Sequence, residues 1–178
     1  GPNNSGLFGT WDGRLVAINT DDGSEQWSYP LDEGLIIGGI AFVTNTAVDS
    51  LWKHRIYVGS STGILFALSL SEVDQPPTVL WEFQTQNKIW GTPLVHAHPT
   101  ITDQGILIIG SMDHNVYAIN SETGEELWKF ETTGAVAGMP WIIDDTVYAG
   151  SFDRNLYAID LYSGTKKWVF KTDGWLWN

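Results

Sequence analysis

A chain of 178 residues with 43% hydrophobic and only 17% charged residues has the size and composition of one packed domain rather than a disordered segment. Its 21 acidic residues against 9 basic ones leave a formal charge of -12, which repels phosphate backbones and argues against nucleic-acid binding. The absence of cysteine excludes disulfides, thiolate zinc sites and thiol catalysis, and no apolar run approaches the roughly 18 residues that span a bilayer.

In chain order, residues 1–6 read as a cleavage scar and linker: Gly1-Pro2 has the form of a protease scar, and the sequon Asn3-Asn4-Ser5 abuts it. A first unit, 7–34, opens directly in its second strand and carries Ala17-Ile18-Asn19, Gly23 and Trp27. The second, 35–87, starts with an apolar stretch at 35–43 read as an inner strand. It ends with Ala67-Leu68-Ser69 and Trp81, without the glycine and with four extra residues in the turn. In the third unit, 88–134, an inner strand is predicted at 90–96 and further strands at 106–110, 116–120 and 127–131, the last containing Trp128. Its turns are Asp113-His114-Asn115 and Thr123-Gly124. The fourth unit, 135–174, repeats this with strands at 136–143, 146–151, 156–160 and 167–171 and turns at Asp153-Arg154-Asn155 and Tyr162-Ser163-Gly164. Residues 175–178 read as the start of another inner strand.

Short β-branched and aromatic runs separated by such turns mean consecutive antiparallel hairpins. Both faces of the strands are apolar, with Tyr157 and Ile159 on one side and Leu156 and Ala158 on the other, so each sheet must be sandwiched between neighbours. Radial stacking of four-stranded sheets satisfies this, and the expected fold is an all-β β-propeller with three full blades and one partial blade. Gly9, Gly59, Gly110 and Gly150 mark the register, with insertions near 44–54, 74–78 and 96–104 lengthening the earlier steps. A glycine inside a strand implies a close neighbour, for which a Trp ring of the adjacent blade is the expected candidate.

These residues resemble the tryptophan-docking repeat of pyrroloquinoline-quinone-type (PQQ-type) β-propellers, whose pattern is Ala-x-Asp/Asn-x-x-Thr-Gly-x-x-x-Trp. The stretch from Ala118 to Trp128 matches throughout, that from Ala158 to Trp168 has Ser163 for Thr, and that from Ala17 to Trp27 has Asp22 there. A WD repeat would end a blade in Trp-Asp, whereas Trp11-Asp12 falls in a turn. The resemblance implies that Trp27, Trp81, Trp128 and Trp168 stack between blades, each indole nitrogen tied to the neighbour. It also implies rings of about seven or eight blades, so this chain is expected to be part of a ring completed by a missing portion or by a second copy. An extracytoplasmic location, periplasmic or extracellular, follows from the same resemblance.

The quinone-dependent alcohol dehydrogenases of this family use the quinone, calcium and a catalytic Asp, and many carry a vicinal disulfide. No calcium triad is recognisable here and there is no cysteine, so the chain is expected to be non-enzymatic and without a cofactor. PQQ with calcium is the alternative, as in a dehydrogenase fragment. Non-enzymatic members of the family use the ring as a protein-binding or sensing platform. In a propeller the turn after the second strand and the loop into the inner strand share one mouth of the channel. That mouth would collect Asp12, Thr62, Asp113, His114, Asn115, Asp153, Arg154 and Asn155, joined by Lys88, Trp90, Asp173 and Trp175.

This funnel is the expected partner site, although Asp and Asn in Asp-x-Asn turns also serve backbone geometry. His96-x-His98 offers two imidazoles on one strand face but no third ligand, so no metal site is assigned. Asp144-Asp145 and Asp21-Asp22 are turn carboxylates without a neighbouring His or Lys for acid–base work. The expectation is an interaction or sensing module whose partner is a protein or a second copy, with a small ligand left open. A carbohydrate-binding propeller using Trp90, Trp175 and Trp177 as stacking platforms is a further alternative.

Overall fold

The alternating apolar runs pair with their chain neighbours into four antiparallel meanders in a computed structural model that describes residues 5–31, 33–44, 54–72, 75–96 and 105–177. Blade one is three-stranded, with β1 (Ser5–Gly9), β2 (Arg14–Asn19) and β3 (Glu25–Pro30). Blade two contains β4 (Ala41–Thr44), β5 (His54–Gly59), β6 (Ile64–Leu70) and β7 (Thr78–Gln84). Blade three contains β8 (Leu94–His96), β9 (Ile106–Gly110), β10 (Asn115–Asn120) and β11 (Glu126–Glu131). Blade four contains β12 (Trp141–Ile143), β13 (Thr146–Gly150), β14 (Asn155–Asp160) and β15 (Lys166–Lys171). Every regular element among the described residues is a strand, and blade one begins at the strand equivalent to β5, β9 and β13.

Side chains that alternate along each strand send one set to the preceding blade and the other to the following one. In β5, Ile56 and Val58 join Leu15, Ala17 and Trp27 of blade one, while Tyr57 joins Leu107, Ile109, Tyr117 and Ile119 of blade three. A third cluster places Val116, Ala118 and Trp128 against Val147, Ala149 and Ile159. The core is therefore a series of interfaces between blades, each formed by one face of two sheets.

The repeat Ala and Trp face each other across the outer pair of strands in all four blades, as Ala17–Trp27, Ala67–Trp81, Ala118–Trp128 and Ala158–Trp168. The register shifts immediately after the Ala in each, which is a β-bulge that sharpens local twist. All four alanines are fully buried. Blade two keeps the pairing without the turn glycine, although its turn passes through 73–74, outside the described residues. Most of insertions 44–54 and 96–104 likewise lies outside them, as does His98.

Two expectations need correction. The inner strands are shorter than 35–43, 90–96 and 136–143, with only 41–44, 94–96 and 141–143 in the sheets. The preceding apolar stretch is an irregular connector running from one blade to the next, and its hydrophobicity comes from a plug residue. Ile36, Ile89 and Val136 donate their N–H groups to Thr10, Ser60 and Ser111 carbonyls at 3.0–3.1 Å. Their side chains also occupy the space beside Gly9, Gly59 and Gly110, where an added Cβ would come within 2.2–2.5 Å of them. The close neighbour of these strand glycines is thus aliphatic, and the Trp rings lie elsewhere.

The rings sit on the turn glycines of the next blade. Trp81 covers Gly124 and Trp128 covers Gly164, so closely that a Cβ on either glycine would stand 2.8 or 2.7 Å from the ring. Trp128 Nε1 donates to the Leu161 carbonyl at 2.8 Å and Trp81 Nε1 to the Ser121 carbonyl at 3.2 Å. The Ser121 carbonyl also accepts from Tyr57 Oη and Arg55, and Arg55 pairs with Glu122 at 2.6 Å, so one turn of blade three is held by three side chains of blade two. Trp27 is buried in the first interface. Trp168 lies on Tyr148 of its own blade at 5.7 Å, as Trp81 lies on Tyr57 at 5.8 Å, and is 45% exposed, with no described blade beyond it.

Trp128→Ala should lower unfolding stability by about 3–5 kcal/mol, because it opens a cavity at a blade interface and leaves the Leu161 carbonyl unpaired. A urea titration followed by the remaining tryptophan fluorescence measures the shift in midpoint.

Candidate interaction site

One end of the blade stack gathers the turns between β1 and β2, β5 and β6, β9 and β10, and β13 and β14, together with the connectors. The polar turn residues there are largely engaged within the protein. Asp113 Oδ2 accepts from the Gln86 N–H at 2.9 Å and from Tyr117 Oη at 2.8 Å, while its Oδ1 accepts from the Asn115 backbone. Asp153 repeats the scheme with the Thr133 N–H and hydroxyl, Tyr157 Oη and the Asn155 backbone. Each aspartate thus hooks the connector that leaves the preceding blade. Burial alone would raise the Asp113 carboxyl, but hydrogen bonds from Tyr117, Gln86 and Asn115 outweigh it and hold it below the usual range. Asp153 is lowered against its burial in the same way by Tyr157, Thr133 and Asn155. The partner hydroxyls of Tyr117 and Tyr157 shift upward, through burial and then through donation to these carboxylates.

His114 and Arg154 occupy the tips of the same turns with φ of 74° and 69°, where blades one and two have Gly13 and Gly63. Left-handed backbone at non-glycine residues is uncommon and holds these two side chains outward into solvent. Asn115 donates its side-chain amide back to Asp113, and Asn155 donates to Tyr157 Oη at 3.3 Å. Asp12 accepts from the Thr10 hydroxyl. Asp173 is exposed, between Thr172, which anchors the turn, and Gly174.

Lys88, Trp90 and Trp175 converge differently, around a ring that sequence reasoning missed. Phe152 stacks on Trp175 at 5.3 Å and 18°, and on Trp177 at 5.6 Å and 27°. Trp177 meets Trp90 at 6.0 Å, and Lys88 Nζ stands 5.7 Å from the Trp90 ring centre, within cation–π range. Trp175 and Trp177 remain 72% and 64% exposed, while the buried Trp90 Nε1 has no hydrogen-bond partner among the described residues. The signal for Phe152 was present: an aromatic residue interrupts an otherwise polar turn, at the repeat position of Trp11, Ser61 and Met112. The rim therefore carries an aromatic platform edged by a cation, beside turns whose carboxylates are structural. Elsewhere, an apolar groove of about 480 Å³ lies between inner strands β4 and β8, lined by Phe42, Val43, Pro93 and Leu94 among others.

The other sequence candidates do not assemble. His98 is outside the described residues, and no group of three His, Cys, Asp or Glu side chains is placed to hold a metal ion among those described. Asp145 has a lysine near it after all, since Lys167 Nζ donates to its backbone carbonyl at 2.7 Å, and its carboxylate accepts from Tyr162 Oη.

Comparison with known proteins bears on the whole stack. A family model described as outer membrane protein assembly factor BamB matches residues 69–174. The serine/threonine-protein kinase AfsK of Streptomyces griseus is 28% identical over 121 residues, which cover 68% of this chain and 14% of the kinase. A quinohemoprotein alcohol dehydrogenase of Comamonas testosteroni is 29% identical over 122 residues, covering 64% of this chain and 16% of that protein. The chain thus spans a small part of the curated relatives it matches. In fold it follows the crystal structure of BamB from Moraxella catarrhalis with a TM-score of 0.70 at 19% identity, over 95% of this chain and 50% of that one.

A carboxyl held below its unfolded value contributes stability that is fully present above the ordinary aspartate range, near pH 4, and is lost as pH falls through the lowered folded value. Asp153→Asn should therefore shrink the difference in urea midpoint between neutral pH and about pH 3, relative to the unsubstituted chain.

Proposed function

This chain belongs to the family described as outer membrane protein assembly factor BamB, and from that premise we propose that it is a non-catalytic β-propeller module that binds protein partners as a scaffold or sensor. The observation that carries the reading is the division of labour on the rim. Asp113 and Asp153, which would be the natural acid–base candidates, spend their oxygens on backbone and tyrosine donors. The groups left for a partner are the stacked rings of Phe152, Trp175 and Trp177, the Lys88 ammonium beside Trp90, and the outward His114 and Arg154. Exposed tryptophan rings and an arginine on the same rim are residue types enriched in protein-interface hot spots. The family description concerns outer-membrane protein assembly, so the same proposal places this chain outside the cytoplasm.

The rival is quinone chemistry, motivated by the likeness to the alcohol dehydrogenase. It would need the quinone together with a calcium ion, and their binding is what separates the two readings.

Short extended peptides tiled from an outer-membrane β-barrel protein, passed over the immobilised chain, should bind in a subset. Trp175→Ala and Trp177→Ala should each weaken that binding by about tenfold. Binding that ignores both substitutions, together with a thermal shift induced by PQQ and calcium, would favour the dehydrogenase reading. A glycan array distinguishes peptide from sugar stacking on the same rings.

A further inference from the structure

The two end faces of the blade stack complement each other in what they present, an open tryptophan clasp on one and an empty glycine turn on the other. On the β15 side, Trp141, Tyr148, Ala158 and Trp168 form one row across the sheet, with Leu156 and Phe170 paired in a parallel row. Trp141, Ile143, Trp168 and Phe170 are between 45% and 61% exposed. Exposed apolar area of this extent on a sheet face marks an interaction surface. The rings of Tyr148 and Trp168 lie 5.7 Å apart, and those of Tyr57 and Trp81 lie 5.8 Å apart. The Tyr57–Trp81 pair grips the next blade through the Ser121 carbonyl. Blade four therefore presents the same clasp already assembled and open.

The turn between β2 and β3, at the opposite end, has the geometry of the receiving site. The Gly23 N–H donates to the Asn19 carbonyl, as Gly124 does to Asn120 and Gly164 to Asp160. The three glycines share φ values of 74°, 77° and 67°. A Trp ring fills the space over Gly124 and over Gly164, yet no atom lies within 4 Å of the corresponding point at Gly23. Thr20 holds the turn position of Ser121 and Leu161, whose carbonyls accept the indole N–H elsewhere. Around this turn stand Asp21, Asp22 and Glu25; of the lysines of β15, Lys167 is paired with Asp160 of its own blade at 3.3 Å, so the contact rests on the ring and its seat rather than on charge. Between blades two and three the turn is also held by the Arg55–Glu122 pair; Asp21 holds the position of Glu122, and Thr146 that of Arg55.

We propose that Trp168 of one chain seats on the Thr20–Gly23 turn of a second copy, and that two copies joined by two such contacts close into one ring. The occupant is a second copy because both halves of the contact, the open clasp and the empty seat, belong to this chain. Closure at two is expected because this chain superposes on half of the BamB chain. Head-to-tail contacts of this kind make a ring when the rotation closes and a filament when it does not. The inference rests on reading the chain as an interaction module and names one of its partners.

Mass in solution, by sedimentation and light scattering on the 178-residue chain, tests it. The unsubstituted chain should have twice the 19.8 kDa chain mass. Trp168→Ala and Gly23→Asn should each raise the dissociation constant about 30-fold or more, with circular dichroism unchanged, because Trp168 is exposed and Asn accepts the left-handed backbone. Mixing the two variants should restore pairing, since the Trp168 of the Gly23→Asn chain meets an intact Gly23 on the other. A monomer at the highest concentration tested, a dimer indifferent to both substitutions, or an open ladder of masses would overturn the proposal. A monomer that retains Trp175-dependent peptide binding removes ring closure alone. Loss of peptide binding in an intact dimer removes the scaffold reading alone.

Discussion

The seating of a tryptophan ring on a left-handed glycine of the next blade is the contact on which the architecture depends. It needs three things at once: a large flat side chain, a turn residue without a Cβ, and a carbonyl one residue past the preceding strand to take the indole N–H. Trp128 with Gly164 and Leu161 meets all three, as does Trp81 with Gly124 and Ser121. The facing alanine makes room for the ring within its own sheet, and the bulge beside it sharpens the local twist. A sheet that is apolar on both faces gains stability only in company, and the clasp fixes how close and at what angle that company stands.

The rim follows from the same requirement. Connectors must cross from one blade to the next with their backbone groups satisfied, and the aspartates of the Asp-x-Asn turns do this by catching Gln86 and Thr133. These turn aspartates thus serve the scaffold, and their lowered pKa values record the donors around them. What remains outward is carried by turn tips in strained backbone and by aromatic residues at connector positions.

The sequence made the repeat legible because its signal is spacing, and spacing survives substitution. Ala and Trp ten residues apart located the outer hairpin of three blades, and the copy ending at Trp81, four residues longer and without the glycine, keeps the same pairing. The inner strands were overestimated because Ile36, Ile89 and Val136 make the connectors as apolar as a strand, and hydrophobicity alone does not separate a buried connector from a paired one. The neighbour of Gly9, Gly59 and Gly110 was misassigned for a related reason. A missing Cβ reports that something comes near but not what, and aliphatic plugs fill that space. The platform around Phe152 was half visible: Trp90, Trp175 and Lys88 stood out by type, whereas their convergence depends on connectors folding across two blades.

Since each clasp reaches only the blade that follows, the stack behaves as a linear array with nearest-neighbour coupling, and its cooperativity is the sum of few terms. Blades two and three are each packed on both faces by described neighbours. The rings of Phe152, Trp175 and Trp177 reach Trp90 across the junction of blades three and four, so whatever binds them acts on that one coupling and not on the stack as a whole.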